Sequence, residues 1–220
     1  MVLRYTIIMI ITYYGKQYFK IQQGNTTLSL NPMSKENSLK IKPAKFSADI
    51  ALCSLRHPDY NGFENNAYNG KEPFKIYGPG SYEIDGNLFV GYGELAKRGE
   101  ENYINTVYFF DLEGISFCFL GDLAHENIDQ KTKEHIESVD VIFVPIGGGE
   151  TLDPIQASKI VKNFSPKVII PMDYGKDREK GMLEAFLKEM SSDAKPQDKY
   201  VFKKKDIEAL TGQVVVLESQ

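Results

Sequence analysis

Residues 48–62 read "ADIALCSLRHPDYNG", and the fold turns on them. The run from Ala48 to Cys53 is an apolar stretch of buried-strand type. It stops at His57, Pro58 and Asp59, so proton- and metal-binding side chains stand at the end of a strand. In layered α/β proteins that is where ligands bind. Two later stretches share the pattern. "VDVIFVPIGGG" (139–149) runs into three glycines, and "PKVIIPMD" (166–173) ends on Asp173. Together with Asp122 in "FLGD" (119–122), they make His57, Asp59, Asp122 and Asp173 candidates for one site at a shared sheet edge.

Around these strands the first third of the chain reads as a meander. "MIITYYG", "QYFKIQQG" and "TTLSLNP" alternate apolar and polar residues and stop at Gly15, Gly24-Asn25 and Pro32. "GNLFVGYG" (86–93) and "NTVYFFDLEGISFCFLGD" (105–122) continue it, with a hairpin turn at Glu113-Gly114. Helices come late. In "DPIQASKIVKNF" (153–164), Asp153 is placed to cap, Pro154 opens the helix and Gln156 closes a capping box. "EKGMLEAFLKEM" (179–190) has helical spacing, and "ENIDQKTKEHIESV" (126–139) is a more polar helix. The lysine-rich stretch Lys35 to Lys45 reads as a mobile loop.

The 220 residues suit one layered α/β domain, with residues 1–8 as an upstream extension, and a 42% hydrophobic content is enough for a core. A formal charge of −4 gives no reason to expect nucleic acid or an anionic membrane as partner. The basic run Lys203 to Lys205 is answered by Asp206 and Glu208 and reads as a solvated face. Cys53 and Cys118 lie inside apolar stretches, as buried thiols of a reducing cytoplasm do. No signal peptide or membrane span is evident, so the expected location is cytoplasmic.

Six segments in order resemble the metallo-β-lactamase superfamily, in its lactonase-like, Zn-dependent hydrolase branch. They are "YYGK" (13–16) with "LNP" (30–32), "SLRHPDY" (54–60), "GPGSYEIDG" (78–86), "LGDLAH" (120–125), "VDVIFVPIGGGETLDPIQA" (139–157) and "IIPMDYG" (169–175). The resemblance implies a four-layer αββα sandwich of two mixed sheets with helices outside. It also implies a site where five histidines and two aspartates hold two metal ions, and where the shared aspartate corresponds to Asp122. Position by position, the signature Thr-His-x-His-x-Asp-His maps its first histidine to Leu55 and its second to His57. Its aspartate maps to Asp59 and its last histidine to Tyr60. The His of the early Gly-His pair maps to Lys16, and the final histidine to Asp173.

Leucine binds no metal, and a phenol with pKa near 10 is a poor substitute for imidazole. The binuclear zinc site is therefore not expected. One divalent ion on His57, Asp59, Asp122 and Asp173 remains open, and its oxygen-rich donors suit Mn²⁺, Mg²⁺ or Fe²⁺ better than Zn²⁺. In that case Asp59 and Asp122 are the catalytic carboxylates. Plainer readings stand beside this one. His57 bonds locally to Asp59, Asp122 caps a turn, His125 and His135 lie at the surface, and Asp173 pairs with Lys16 or Arg56 in place of a metal's charge. "IGGGE" (146–150) reads as a tight turn, and neither Cys53 nor Ser54 has the setting of a nucleophile.

The favoured expectation is a divergent member of the fold, non-catalytic or weakly active. It would serve as a binding or assembly module with a small-molecule ligand in the strand-end cleft, and it is open to homo-oligomerisation. The alternative is a metal-dependent hydrolase of an ester, lactone or phosphoester.

Overall fold

Alternation builds the first sheet. In β1 (Met9–Tyr13), β2 (Phe19–Gln23) and β3 (Thr26–Leu30), every second side chain turns inward: Met9, Ile11 and Tyr13, then Phe19 and Ile21, then Leu28 and Leu30. β4 (Ile50–Cys53) is buried on both faces. It pairs in parallel with β3 on one side and with β5 (Phe74–Tyr77) on the other. β12 (Lys199–Phe202) closes the far edge antiparallel to β1, giving the order β12-β1-β2-β3-β4-β5. The computed structural model describes residues 8–136, 139–175 and 180–220. The expected upstream extension, 1–8, lies outside the described residues except for Ile8.

The second sheet joins a meander to a parallel half. β6 (Gly80–Ile84), β7 (Asn87–Arg98), β8 (Glu101–Leu112) and β9 (Ile115–Phe119) pair antiparallel. β10 (Val141–Pro145), β11 (Val168–Met172) and β13 (Gln213–Val214) then extend the sheet in parallel beyond β9. The β8–β9 turn falls at Glu113-Gly114 as expected, both residues having positive φ (51° and 69°). β7 and β8 are longer than the sequence pattern suggests. Their outer halves carry Lys97, Arg98, Glu101 and Asn102 and look like a loop, yet they stay in register from Phe89↔Phe110 to Arg98↔Glu101.

Inner faces of both sheets meet in one core, with Ile11, Phe19 and Leu52 from the first and Tyr108, Phe117, Phe143 and Ile170 from the second. α1 (Gln130–Ile136), α2 (Pro154–Phe164) and α3 (Met182–Glu189) cover the outer face of the second sheet. They press Ile136, Ile160, Val161 and Phe186 against Cys118, Ile142, Val144 and Ile169. The capping box of α2 forms as read: Asp153 Oδ1 accepts the Gln156 N–H at 2.8 Å, and Gln156 Oε1 accepts the Asp153 N–H at 3.0 Å. The outer side of the first sheet is covered differently. Irregular chain around the 3₁₀ turn Phe63–Asn65 lies there, with Phe46 stacked on Tyr14 and Tyr18. A short α4 (Lys204–Ile207) follows β12. Among the described residues no helix is long and apolar enough to cross a membrane.

Candidate functional site

The candidate residues stand on loops that leave the strand ends, and two glycines let those loops come close. A Cβ on Gly62 would lie 2.1 Å from the Met33 carbonyl oxygen. Gly121 is left-handed (φ 57°), and its Cβ would lie 2.5 Å from Ser54 Cβ. Three non-glycine residues at the site share that conformation: Lys16 (φ 53°), Asn31 (φ 46°) and Asp173 (φ 63°). Backbone strain of this kind gathers where surrounding contacts over-determine the chain. Here the Asp173 N–H donates to the Lys16 carbonyl, tying the β11 end to the β1–β2 turn.

One half of the site is centred on Asp59. The Lys16 ammonium, 6% exposed, makes an ion pair with Asp59 Oδ2. The Ser38 N–H donates to Oδ1 at 2.6 Å and the Ser38 hydroxyl to Oδ2 at 2.8 Å. Burial pushes the Asp59 pKa upward, but the Lys16 and Ser38 donors outweigh it and hold the carboxyl below the usual range. His57 stays local. Its Nδ1 is 3.6 Å from Asp59 Oδ2 and accepts the Asp59 N–H at 3.3 Å.

The other half is centred on Asp122, which is fully buried. Its Oδ1 accepts from Arg98 in an ion pair, from the Tyr60 hydroxyl at 2.9 Å and from Gln17 Nε2 at 3.0 Å. Its Oδ2 has no hydrogen-bond partner among the described residues. Burial raises the Asp122 pKa against the lowering effect of Arg98, and nearby Asp173 adds to the rise. Arg98 reaches further. Its second nitrogen bonds Glu150 at 2.7 Å, while Glu150 also accepts the Gly99 N–H at 2.6 Å. Tyr60 joins the halves, its ring within 5.4 Å of Lys16 Nζ and 5.5 Å of the Arg98 guanidinium carbon. Burial, then Asp122 and Asp173, drive its phenol well above the ordinary value.

The four residues expected to share a metal thus gather where strands of the two sheets end, but not on one point. His57 and Asp59 belong to the Lys16 half, Asp122 to the Arg98 half, and Asp173 adjoins Tyr60 and Asp122. Among the described residues no three His, Cys, Asp or Glu side chains are grouped so as to hold an ion. The places beside Asp59 and Asp122 that a cation would take are held by an ammonium and a guanidinium. As arranged, the donor set does not fit a metal.

Some local readings change. Among the described residues Arg56 pairs with no carboxylate; it is exposed and lies over the Tyr77 ring at 4.8 Å. Lys16 is turned inward, but to Asp59 instead of Asp173. Asp122 does not cap a turn, since its side chain accepts from side chains, and its own N–H donates to Asn105 Oδ1 at 2.7 Å. His125 is half-buried, not a surface residue, because Leu123 and Ile128 on either side of it are buried in the core of the second sheet. Cys53 and Cys118 are buried free thiols, and burial takes Cys53 up to about 12. Sequence reasoning missed Arg98, Glu150, Ser38 and Gln17. A cation at the end of a strand beside a glycine, "KRG" (97–99), was the available signal for Arg98.

Between the halves lies a cleft of about 290 Å³, lined by Lys16, Ser38, His57, Asp59, Arg98 and Glu150. This is at the small end for a ligand pocket.

Comparison with known proteins bears on this arrangement. A family model described as a beta-lactamase superfamily domain matches residues 10–173. A "UPF0173 metal-dependent hydrolase" of Thermococcus onnurineus is 23% identical over 188 residues, 74% of this chain and 84% of its own length. A Thermotoga maritima structure, proposed to be a Zn-dependent hydrolase of the metallo-β-lactamase superfamily, superposes with a TM-score of 0.70 at 27% identity. That match covers 96% of this chain and 99% of the other. A metallo hydrolase of Ignicoccus hospitalis shares the fold at a TM-score of 0.64 and 18% identity, over 89% of this chain and 98% of its own. With the two mixed sheets, the strand-end site and a family match over most of its length, the chain belongs to the metallo-β-lactamase superfamily.

Proposed function

We propose that this chain is a divergent metallo-β-lactamase-fold protein in which side-chain cations balance the charge that metal ions balance in zinc-bound members. On this reading it acts as a binding or assembly module with little or no hydrolytic activity. The observation that supports it is the pair of internal salt bridges, Lys16–Asp59 and Arg98–Asp122. A divalent ion entering either place would meet a fixed positive charge, and the cation displaced would have to find another partner in a desolvated site. Leu55 and Tyr60, both fully buried, supply no imidazole, which leaves His57 as the one on the cleft lining among the described residues.

A second reading keeps a metal-dependent hydrolase of an ester, lactone or phosphoester, with one ion on His57, Asp59, Asp122 and Asp173. It is favoured by the relatives' names and by the unpartnered Asp122 Oδ2. It requires Lys16 and Arg98 to swing away.

The deciding experiment is elemental analysis of protein purified without chelator or affinity-tag metal. Wild type is measured beside Asp122→Asn, before and after incubation with Zn²⁺ or Mn²⁺. The proposal expects well under one equivalent of metal in both proteins. Near-stoichiometric metal in wild type that disappears in Asp122→Asn overturns it and establishes the second reading.

A further inference from the structure

We propose that the Lys35–Lys45 loop is a cradle for a small polyphosphorylated anion. The proposal goes beyond the functional reading above and does not depend on it. Lys35, Lys40, Lys42 and Lys45 line one concavity of about 570 Å³, and all four are exposed. Among the described residues none of the four forms an ion pair, whereas Lys16, Lys71, Lys75, Arg98, Lys159 and Lys167 each do. Glu36 is the acid on the lining, and Glu64 at the margin accepts the Lys35 N–H at 3.4 Å. In a chain of net charge −4 this is a local excess of positive charge. The other lysine run, Lys203 to Lys205, has Asp206 and Glu208 next to it in sequence, so its charge is more nearly balanced locally.

The loop has a defined shape. Asn37 is buried at its centre, its Nδ2 donating to the Ser34 and Ile41 carbonyls at 2.8 and 2.9 Å while its Oδ1 accepts the Ile41 N–H at 3.3 Å. Lys40 is held left-handed (φ 54°), a conformation that ordinarily favours glycine. The ordered backbone thus brings four lysines to the rim of one opening, where a multiply charged anion relieves their mutual repulsion. Lysine is a compact point charge suited to phosphate oxygens.

The chemistry of the lining narrows the ligand. By charge, a chain of phosphates matches four lysines better than a single phosphate does. Among the described residues no aromatic side chain lines the concavity to stack on a base, so it lacks the platform that single-stranded nucleic acid uses. Ser38, on the same loop, binds Asp59, so an anion held here lies beside the ion-paired cleft.

The test is isothermal titration of the full chain with sodium tripolyphosphate and, separately, with orthophosphate, at 50 and 300 mM NaCl. Wild type is compared with Lys40→Glu/Lys42→Glu and with a control, Lys203→Glu/Lys205→Glu. Far-UV circular dichroism confirms that each variant is folded. Expected results are saturable tripolyphosphate binding at 50 mM salt, at least tenfold tighter than orthophosphate and at least tenfold weaker at 300 mM. The loop variant weakens binding at least tenfold and the control changes it less than twofold. Absence of binding at 50 mM salt, or equal weakening in the two variants, overturns the proposal. So does a single-stranded oligonucleotide that binds tenfold more tightly than tripolyphosphate through the same lysines, which would make the loop a nucleic-acid surface.

Discussion

Lys16→Met tests whether the buried ammonium holds the site together. Asp59 is 3% exposed, so removing its cation leaves a charge with poor access to water. Breaking a buried pair by deleting one partner costs about 3–5 kcal/mol. The two Ser38 bonds persist and support the remaining carboxylate, which places the expected loss in the lower half of that range, about 3–4 kcal/mol. For a chain of this length, each kcal/mol moves Tm by roughly 2–4 °C, so a fall of roughly 6–16 °C is expected. Lys16→Met/Asp59→Asn is the partner experiment. Asparagine removes the charge yet keeps a carbonyl oxygen for the Ser38 N–H, so most of the lost stability should return. The assay is urea unfolding at pH 7 followed by circular dichroism and tyrosine fluorescence, which suits a chain with 13 tyrosines and no tryptophan. A loss below about 1 kcal/mol for Lys16→Met, the value of an exposed pair, refutes the reasoning. So does a double variant whose loss equals the sum of the two single variants.

Arg98→Lys should lower Tm nearly as much as Arg98→Met, because a single ammonium cannot reach Asp122, Tyr60 and Glu150 together as the planar guanidinium does; full retention of Tm in the lysine variant counts against that role. The two aspartates should shape the pH profile in opposite senses. Asp59 is depressed, so its contribution is present above the ordinary carboxylate value, about 3.9, and is lost as pH falls through its lower folded value. Asp122 is raised, so its contribution is present below the ordinary value and is lost as pH rises through its higher folded value. Unfolding from pH 3 to 7 should therefore show a shallower acid limb in Asp59→Asn and a smaller stability loss above pH 4 in Asp122→Asn; unchanged slopes contradict both assignments. Gly62→Ala should cost about 1–3 kcal/mol or more, since its Cβ would overlap the Met33 backbone, and normal stability by denaturant unfolding would show that the approach is looser.

Strand ends and helix caps were legible because they rest on local rules. The Asp153 capping box, the Glu113-Gly114 turn and the three buried strands each follow from a few neighbouring residues. The site was legible in its address but not in its wiring. His57, Asp59, Asp122 and Asp173 gather where strand-end logic puts them, yet the partner of each carboxylate lies elsewhere in the chain. Lys16 and Asp59 are 43 positions apart, and Gln17 and Asp122 are 105 apart. Arg98 was hidden for a specific reason. Its segment is polar enough to read as a loop, yet the β7–β8 register runs out to Arg98↔Glu101 and carries it in a strand to the cleft. Register between the two halves of a long hairpin is a tertiary property, which the local pattern of "ELAKRGEENYI" (94–104) does not encode.

The two cations also account for why the loops stay together on the proposed reading. A metal centre does two physical jobs: it supplies reactive charge, and it cross-links the loops that donate its ligands. Lys16 performs the second job for the β1–β2 turn, the loop after β4 and the Ser38 segment, all joined through Asp59. Arg98 performs it for the end of β7, the end of β9, Tyr60 and the glycine turn at Glu150. On that reading neither performs the first job: the Arg98 guanidinium is committed to two carboxylates and a phenol, and the Lys16 ammonium to Asp59 and Ser38. On the proposed reading the arrangement retains the mechanical role of the metals without their chemistry, so binding at the surface these pairs hold together is the activity expected of it.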